Sequence, residues 1–286
     1  MGPHEAPAGA PCPLIEIDEA LNKGWFEDWY QPKINLKRKF LAAAEALACI
    51  RHPDLGLLMP GGYLCGGDAD PARLSERSLL AALENWSSFA AAGFNLSLAM
   101  SVPLRVLRDL PAGELVAKHR PASAHWPGII LQVNEDEIVR DLKLAQEVTA
   151  ALRASGIGIA IDDFGAGYSS LASLRELPFA EIKLDRTFVR DCASDATNGA
   201  ICQTAIDLAQ RLNGAAAAKG IESHADLQAL MSMGCDFGQG DLISPALSKA
   251  QFLDLLHQRV ERARPQAPAT GTGATRGTAH MIDRVA

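Results

Sequence analysis

Polar side chains close or interrupt the apolar runs of this sequence, and their types suit divalent cations and phosphate groups. Carboxylates and amides supply the oxygen ligands that hard cations prefer, and a lysine beside them can hold an anion or orient a water molecule. Each of these residues alone is most simply a satisfied structural polar group or a helix cap. As a set they predict phosphate chemistry, and in chain order they are Glu45, Asn95, Gln132, Asp162, Asp163, Lys183, Lys219 and Gln239.

Eight short apolar or alternating runs predict the strands that position these residues. Stretches of helical periodicity separate most of the later runs, which indicates a mainly parallel sheet covered by helices. The predicted strands lie within residues 29–36, 40–50, 94–100, 128–134, 156–165, 181–185, 214–221 and 235–244. The predicted helices lie within residues 80–92, 136–156, 170–177, 197–213, 223–234 and 248–264.

The strand pattern defines the expected fold class. Eight strands in about 250 residues fit a (β/α)8 barrel, whose active site forms at the C-terminal ends of the strands. The first two runs are separated only by LKRK, which predicts a hairpin. We therefore expect an α/β barrel with an antiparallel first strand, in which the polar residues converge on one mouth.

The composition limits the expected partners and location. Lys and Arg number 27 against 34 Asp and Glu, a formal net charge of −7, which argues against direct binding of nucleic acid. The 6 cysteines lack the spacing of metal ligands, which favours reduced thiols. The first 13 residues lack the basic start and continuous apolar core of a signal peptide, and no run approaches about 18 apolar residues. We expect a soluble, cytoplasmic protein without membrane contact.

The composition of the two ends predicts the domain boundaries. Residues 1–13 and 264–286 are rich in Pro, Gly and Ala and have no hydrophobic periodicity. We expect a disordered N-terminus over 1–13, one folded domain over 14–263 and a flexible tail over 264–286.

An ordered series of motifs also resembles a known family. The motifs are YQP at 30–32, EAL at 45–47, NLS at 95–97, DDFGAGYSSL at 162–171, IKLD at 182–185 and QGDLISPAL at 239–247. In this order they resemble the EAL-domain family. The resemblance implies a modified TIM (β/α)8 barrel that binds the bacterial messenger cyclic di-GMP. In active members it also implies hydrolysis to linear pGpG with two Mg²⁺ or Mn²⁺ ions.

The resemblance assigns roles to individual residues. It implies that Lys183 is the catalytic lysine and that Glu135 stabilises the loop after the aspartate pair. It also implies a homodimer formed near the strand that ends at Asp185. The implied metal ligands are Glu45, Asn95, Asp162 and Asp163, and the implied ligand-binding residues are Gln31, Asp185 and Gln239.

Three positions depart from the family pattern. Gln132 and Lys219 each stand where a glutamate is expected, and Cys49 stands where an arginine contacts the ligand. An ammonium cannot coordinate a metal ion. We therefore expect Lys219 to lie among Asp162, Asp163 and Glu45 as an internal cation. Loss of one charged arginine contact costs about 1.5–3 kcal/mol of binding free energy.

These departures favour a catalytically degenerate EAL-domain regulator of gene expression. We expect a repressor-type protein that senses cyclic di-GMP, contacts a regulatory protein partner, or does both, with no cofactor and no DNA binding. The alternative is a weak metal-dependent cyclic di-GMP phosphodiesterase that uses a single Mg²⁺ or Mn²⁺ held by Glu45, Asn95, Asp162 and Asp163. A third hypothesis is a barrel retained only for packing or oligomerisation.

Overall fold

The computed structural model describes residues 15–63, 71–165 and 174–263. The predicted ends, 1–13 and 264–286, lie outside these residues, as does the first half of the helix predicted at 170–177. The described strands are β1 (Phe26–Asn35), β2 (Phe40–His52), β3 (Gly56–Leu58), β4 (Ser97–Ser101), β5 (Ile129–Asn134), β6 (Gly158–Phe164), β7 (Glu181–Leu184), β8 (Ala215–Ala218), β9 (Phe237–Gly238) and β10 (Leu247–Ser248).

Helices cover the outside of the sheet. They are α1 (Ile17–Asn22), α2 (Pro60–Tyr63), α3 (Ala72–Ala91), α4 (Leu104–Asp109), α5 (Ala112–His119), α6 (Glu135–Arg140), α7 (Leu142–Ala154), α8 (Arg186–Val189), α9 (Ala196–Arg211), α10 (His224–Ser232) and α11 (Lys249–Ala263). The longest, α3, buries Leu79, Leu83 and Trp86 at helical spacing against the strands. No helix among the described residues is both long and apolar enough to cross a lipid bilayer.

The sheet closes into an eight-stranded barrel with one antiparallel member. Strands β2 and β4 to β9 are parallel neighbours in that order, and β1 pairs antiparallel with both β9 and β2. Strands β3 and β10 pair with the ends of the β1–β2 hairpin that extend beyond the barrel. The expected α/β barrel of the TIM type, with its antiparallel first strand, is confirmed.

Several elements differ from the sequence-based expectation. Strands β3 and β10 and helices α1, α2, α4, α5 and α8 were not predicted. The helix predicted over 136–156 is wrong as a single element, because it is broken at Asp141. The Asp141 backbone is not helical, and its carboxylate accepts a hydrogen bond from the Leu144 amide to cap α7.

The interior of the barrel differs from the apolar layer between strands and helices. Register neighbours in parallel strands point to the same face, so Ala99 lies beside Glu45, Ala160 beside Gln132 and Ala217 beside Lys183. These alanines leave space inside the barrel for long charged side chains. The interior therefore holds ion pairs where an ordinary barrel holds branched apolar residues.

One of these ion pairs joins Lys33 of β1 to Glu181 of β7. The Lys33 ammonium lies 2.7 and 2.9 Å from the two Glu181 carboxylate oxygens, and both side chains are almost completely buried. The ammonium also lies 5.6 Å from the centroid of the Phe237 ring. The pair connects the antiparallel strand across the interior to β7, three strands away in the barrel.

We expect Lys33→Met to lower the free energy of unfolding by about 3–5 kcal/mol, because it leaves the Glu181 carboxylate buried without a cation. The double variant Lys33→Met with Glu181→Met removes both charges and should recover most of this loss. Urea denaturation followed by circular dichroism measures both effects. A single variant as stable as the double variant would contradict this role of the pair.

A second buried acid lies behind the hairpin. Asp28 is 8% exposed, and its Oδ2 faces the Tyr30 hydroxyl at 3.4 Å and the Asn85 amide at 3.5 Å. Its Oδ1 has no hydrogen-bond partner among the described residues. Burial raises the pKa of Asp28 to about 7, although the nearby Arg77 partly opposes this shift.

Because folded Asp28 binds its proton more tightly than the unfolded chain does, stability should fall as the pH rises from about 4 to about 7. The loss between pH 5 and pH 8 should be on the order of 2–3 kcal/mol. Asp28→Asn should remove this component, as measured by denaturation at several pH values. An unchanged pH slope in the variant would show that Asp28 is not responsible.

Candidate functional site

The barrel mouth forms a cavity of about 660 Å³ at the C-terminal ends of the parallel strands. Most of the residues predicted to converge there do so. One side of the cavity is charged and the other, formed by Leu47, Met59, Pro60 and Ala246, is apolar. The polar lining includes Gln31, Glu45, Asp163, Lys183, Asp185, Lys219, Glu222 and Gln239.

Lys183 lies at the centre of the mouth, on the short and fully buried strand β7. Its ammonium donates to Glu45 Oε2 at 2.7 Å and to Gln132 Oε1 at 3.2 Å, and it lies 3.8 Å from Asp162 Oδ1. Burial disfavours the charged form, but the carboxylates of Asp162 and Glu45 outweigh burial and raise the pKa of Lys183. Lys183 is therefore held as a cation.

Two glutamines extend this network from β1 and from the end of β9. Gln239 Nε2 donates to Glu45 Oε2 and, at 3.2 Å, to Gln31 Oε1. The Gln31 amide in turn donates to the Ser244 carbonyl at 3.4 Å. Strand pairing places Gln31 directly opposite Glu45, which explains how the hairpin brings both side chains to the mouth.

The chemistry of the partners determines the orientation of two amides. A lysine only donates, so the atom of Gln132 that faces Lys183 is the oxygen. A carboxylate only accepts, so Gln239 presents its nitrogen to Glu45. The other amide atom of each side chain, Gln132 Nε2 and Gln239 Oε1, is buried without a hydrogen-bond partner in the described part of the chain. Of these two residues Gln239 lines the cavity, where a bound molecule can complete its hydrogen bonding.

The ammonium of Lys219 lies against the aspartate pair, Asp162 and Asp163. Lys219 follows β8, and its ammonium contacts Asp163 Oδ1, lies 3.5 Å from Asp162 Oδ1 and lies 4.0 Å from Asp185 Oδ2. Asp163 is also held by the Asn134 amide at 2.8 Å and has a left-handed backbone with φ of 56°. The internal cation that we expected is present, but Glu45 is paired with Lys183 and not with Lys219.

The assignment of Asn95 to the mouth is wrong. Asn95 is exposed and precedes β4, so it lies at the end of the barrel where the parallel strands begin. Ser101 ends β4 and occupies the mouth position, where its hydroxyl donates to Gln132 Oε1 at 3.2 Å. The strand begins at Ser97, so Asn95 is separated from the mouth by the length of β4.

The arrangement does not fit a two-metal centre. The Lys219 ammonium contacts the aspartate pair, and Lys183 and Gln239 engage Glu45. The Gln132 oxygen already accepts from Lys183 and Ser101. Within residues 15–63, 71–165 and 174–263, no three His, Cys, Asp or Glu side chains are grouped to hold a metal ion. Binding of a cation by these carboxylates would first require displacement of the Lys219 ammonium.

Two further acidic residues order the loops around the mouth. Glu135 is buried at the start of α6, and its Oε2 accepts from the Gly165 amide at 3.0 Å, next to the aspartate pair. Asp185 caps α8 by accepting from the Thr187 amide at 2.7 Å. Glu135 thus contacts the start of the loop that it was expected to stabilise, and Asp185 lines the cavity, where its expected role in ligand binding stays a prediction.

Cys49 does not face the cavity. It is completely buried, its thiol lies 3.4 Å from the Met59 sulfur, and burial raises the pKa of the thiol. Met59 covers it and forms part of the apolar wall. Among the residues that the structure describes, the wall formed by Leu47, Met59, Pro60 and Ala246 has no charged side chain in place of the expected arginine.

Three residues of the site were missed from the sequence. They are Ser101, which contacts Gln132, Asn134, which holds Asp163, and Arg186, which lines the cavity beside Asp185. Ser101 and Asn134 could have been found, because both are the polar residues that directly end an apolar run. Arg186 belongs to a short helix that carries no periodic signal.

Comparison with known proteins identifies the family. The EAL domain model matches residues 15–246, so the chain belongs to the EAL-domain family. The cyclic di-GMP phosphodiesterase RocR of Pseudomonas aeruginosa is 32% identical over 248 residues, which cover 84% of this chain and 62% of RocR. The chain thus spans less than two thirds of the length of that relative.

Solved structures agree with this assignment. The PaMucR phosphodiesterase in complex with c-di-GMP superimposes with a TM-score of 0.71 and 29% identity, over 82% of this chain and 97% of that one. The EAL enzyme Bd1971, bound to cAMP and cyclic di-GMP, gives a TM-score of 0.76 and 27% identity, over 84% of this chain and 67% of that one.

We expect the combined variant Lys219→Glu with Gln132→Glu to create a cation requirement that the wild type lacks. Its added carboxylates repel one another, so Mn²⁺ should stabilise it. Saturation to about 100 times the dissociation constant contributes about 2.7 kcal/mol, which corresponds to a rise of about 5–10 °C in Tm. Thermal denaturation with EDTA or Mn²⁺ measures this rise.

The matched control for this experiment is Lys143→Glu with Gln146→Glu on α7, which makes the same chemical changes away from the mouth. It should show no Mn²⁺ effect. An equal rise in Tm for the wild type would show that Lys219 does not exclude the cation.

Proposed function

We propose that the barrel mouth binds cyclic di-GMP and does not hydrolyse it. The observation that carries this proposal is the Lys219 ammonium, which lies against Asp162 and Asp163 where divalent ions would have to bind. The chain would then act as a receptor for the nucleotide.

The two-sided character of the cavity supports nucleotide binding. Its volume of about 660 Å³ lies in the ordinary range of small-molecule sites. The wall formed by Leu47, Met59, Pro60 and Ala246 suits the face of a base, and the cations Lys183 and Lys219 suit phosphate oxygens. The PaMucR and Bd1971 structures, which hold cyclic di-GMP, add support from comparison.

The contacts of the mouth support the absence of hydrolysis. The activity implied by the family resemblance depends on two divalent ions, which carboxylates must bind and hold close together. Here Lys219 neutralises the aspartate pair, and an amide replaces the carboxylate at Gln132. The cation that the mouth requires is thus supplied by a side chain.

A second candidate is a metal-dependent cyclic di-GMP phosphodiesterase. The comparisons favour it over a receptor, because RocR is named a cyclic di-GMP phosphodiesterase and PaMucR a phosphodiesterase. Glu45, Asp162, Asp163 and Lys183 also lie together at the mouth as such an enzyme requires. This candidate requires Lys219 to leave the aspartates, whereas the observed geometry favours the receptor.

The regulatory role is a further part of the proposal. We propose repressor-type control of gene expression through a protein partner, on the basis of the acidic net charge of −7, which disfavours contact with DNA. The homodimer and the cytoplasmic location are predictions from the sequence and the family resemblance.

Calorimetry of the protein with cyclic di-GMP, in EDTA and in Mg²⁺ or Mn²⁺, tests the proposal together with chromatographic detection of pGpG. We expect binding in EDTA and no pGpG under any condition. Gln239→Ala should weaken binding about tenfold, a loss of about 1.4 kcal/mol, because Gln239 orders both Gln31 and Glu45. Gln146→Ala on the outer helix α7 is the control.

The outcomes distinguish the two candidates. Binding without pGpG supports the receptor. Metal-dependent formation of pGpG that Asp162→Ala abolishes selects the phosphodiesterase. Absence of both binding and turnover contradicts both candidates.

A further inference from the structure

The exposed charges of the barrel are separated along its axis. We call the end at which the parallel strands begin the base. Connections at the mouth carry the acidic residues Asp163, Asp185, Glu222 and Asp241 against the cations Arg186 and Lys219. At the base, the described connections carry the cations Lys37, Arg38, Lys39 and Arg120 against the acidic residues Glu176 and Asp236, of which Asp236 is paired with Lys37. The base is therefore positive although the chain is acidic.

Three of these cations are consecutive in the turn between β1 and β2, and Phe40 follows them. We call residues 37–40 the basic turn. All four side chains are exposed, and Phe40, at 46%, is among the few large apolar side chains of the described residues that are exposed to this extent. Arg38 and Phe40 belong to the residue types, arginine and aromatic, that are enriched in protein interfaces.

The basic turn is held rigidly. The Asn35 side chain accepts from the Arg38 amide at 2.7 Å, and the Asn35 carbonyl accepts from the Lys39 amide at 2.8 Å. Leu36 is buried beneath the turn, and its amide donates to the Asp236 carbonyl at 2.9 Å. A turn ordered before binding loses little conformational entropy when a partner docks.

Lys39 adds a second observation. Its φ of 54° is left-handed, a conformation that hairpin turns usually assign to Gly or Asn. Lys39 therefore places a long cationic side chain at a position where glycine would be less strained. Backbone strain of this kind is a reason to ask what the side chain does.

We infer that the basic turn docks an acidic segment of a partner protein, in which Asp or Glu residues flank an apolar side chain. Arg38 and Lys39 would meet the carboxylates, and Phe40 would pack against the apolar side chain. This surface lies at the opposite end of the barrel from the nucleotide cavity. A partner could therefore bind without covering the cavity.

Other anionic partners fit less well. Nucleic-acid affinity depends on the number of phosphates that cations neutralise, and the net charge of −7 opposes the approach of a long polyanion. Stable attachment to a membrane requires two independent anchoring signals, whereas the turn has a single exposed aromatic side chain. A short acidic segment needs only the local positive charge.

The test uses the full chain and a short fluorescein-labelled peptide in which Glu and Asp flank one Phe and one Leu, measured by fluorescence anisotropy at several salt concentrations. Binding should weaken as salt rises, because screening acts on exposed charges. Arg38→Glu with Lys39→Glu should weaken binding at least about tenfold. Phe40→Ser should weaken it by about threefold to tenfold without changing the salt dependence.

The matched control is Arg140→Glu with Lys143→Glu, two exposed cations on α6 and α7 whose reversal changes the net charge by the same amount. It should change peptide affinity less than about twofold if docking is local. Thermal denaturation checks that all variants fold. Cyclic di-GMP binding should be unchanged in every variant, which separates this test from that of the mouth.

Several results would overturn the inference. They are equal losses in the two charge-reversal variants, equal binding of a peptide whose acids are replaced by amides, and no binding of the acidic peptide. Binding of duplex DNA or phosphatidylserine vesicles that Arg38→Glu with Lys39→Glu abolishes, without peptide binding, would assign the surface to another partner. Self-association that this variant abolishes would assign it to the acidic mouth of a second copy.

Discussion

The ion pair between Lys183 and Glu45 is the interaction on which the barrel mouth depends. Its 2.7 Å contact is almost fully buried, so each charge depends mainly on the other for stabilisation. The Lys183 ammonium also donates to Gln132, and the Glu45 carboxylate also accepts from Gln239. The layer of alanines around this pair allows the side chains to reach across the interior, and a second pair, Lys33 with Glu181, repeats the arrangement deeper in the barrel.

This dependence explains why two of the three departures from the family pattern, Gln132 and Lys219, lie beside different carboxylates. Gln132 contacts Lys183, where a second carboxylate would compete with Glu45 for the same ammonium. Lys219 contacts Asp162 and Asp163, where two adjacent carboxylates without a cation would repel each other. One change lowers the negative charge around Lys183, and the other supplies positive charge to the aspartate pair. Together they give a mouth whose charges are balanced by side chains.

Much of the fold and part of the site could be predicted from the sequence. The strands were found because apolar periodicity reports which faces are buried, and the hairpin because only LKRK separates its strands. Asn95 was misplaced because a motif of three residues cannot show where a strand begins, and a shift of a few residues moves a side chain from one end of β4 to the other. Short elements such as α8 and β10 were missed because they contain too few residues for a period to appear.

The pairing of Lys219 illustrates what sequence reasoning could and could not reach. The substitution itself showed that an ammonium replaces a carboxylate, and charge alone predicted that it would approach the remaining acids. The choice between Glu45 and the aspartates depends on geometry. Glu45 is already held by Lys183 from β7, while Asp163 is turned toward Lys219 by its left-handed backbone and by the Asn134 amide. Because Glu45 is already paired with Lys183, the Lys219 ammonium pairs with Asp162 and Asp163 instead. Whether the mouth can bind divalent ions depends on these two aspartates.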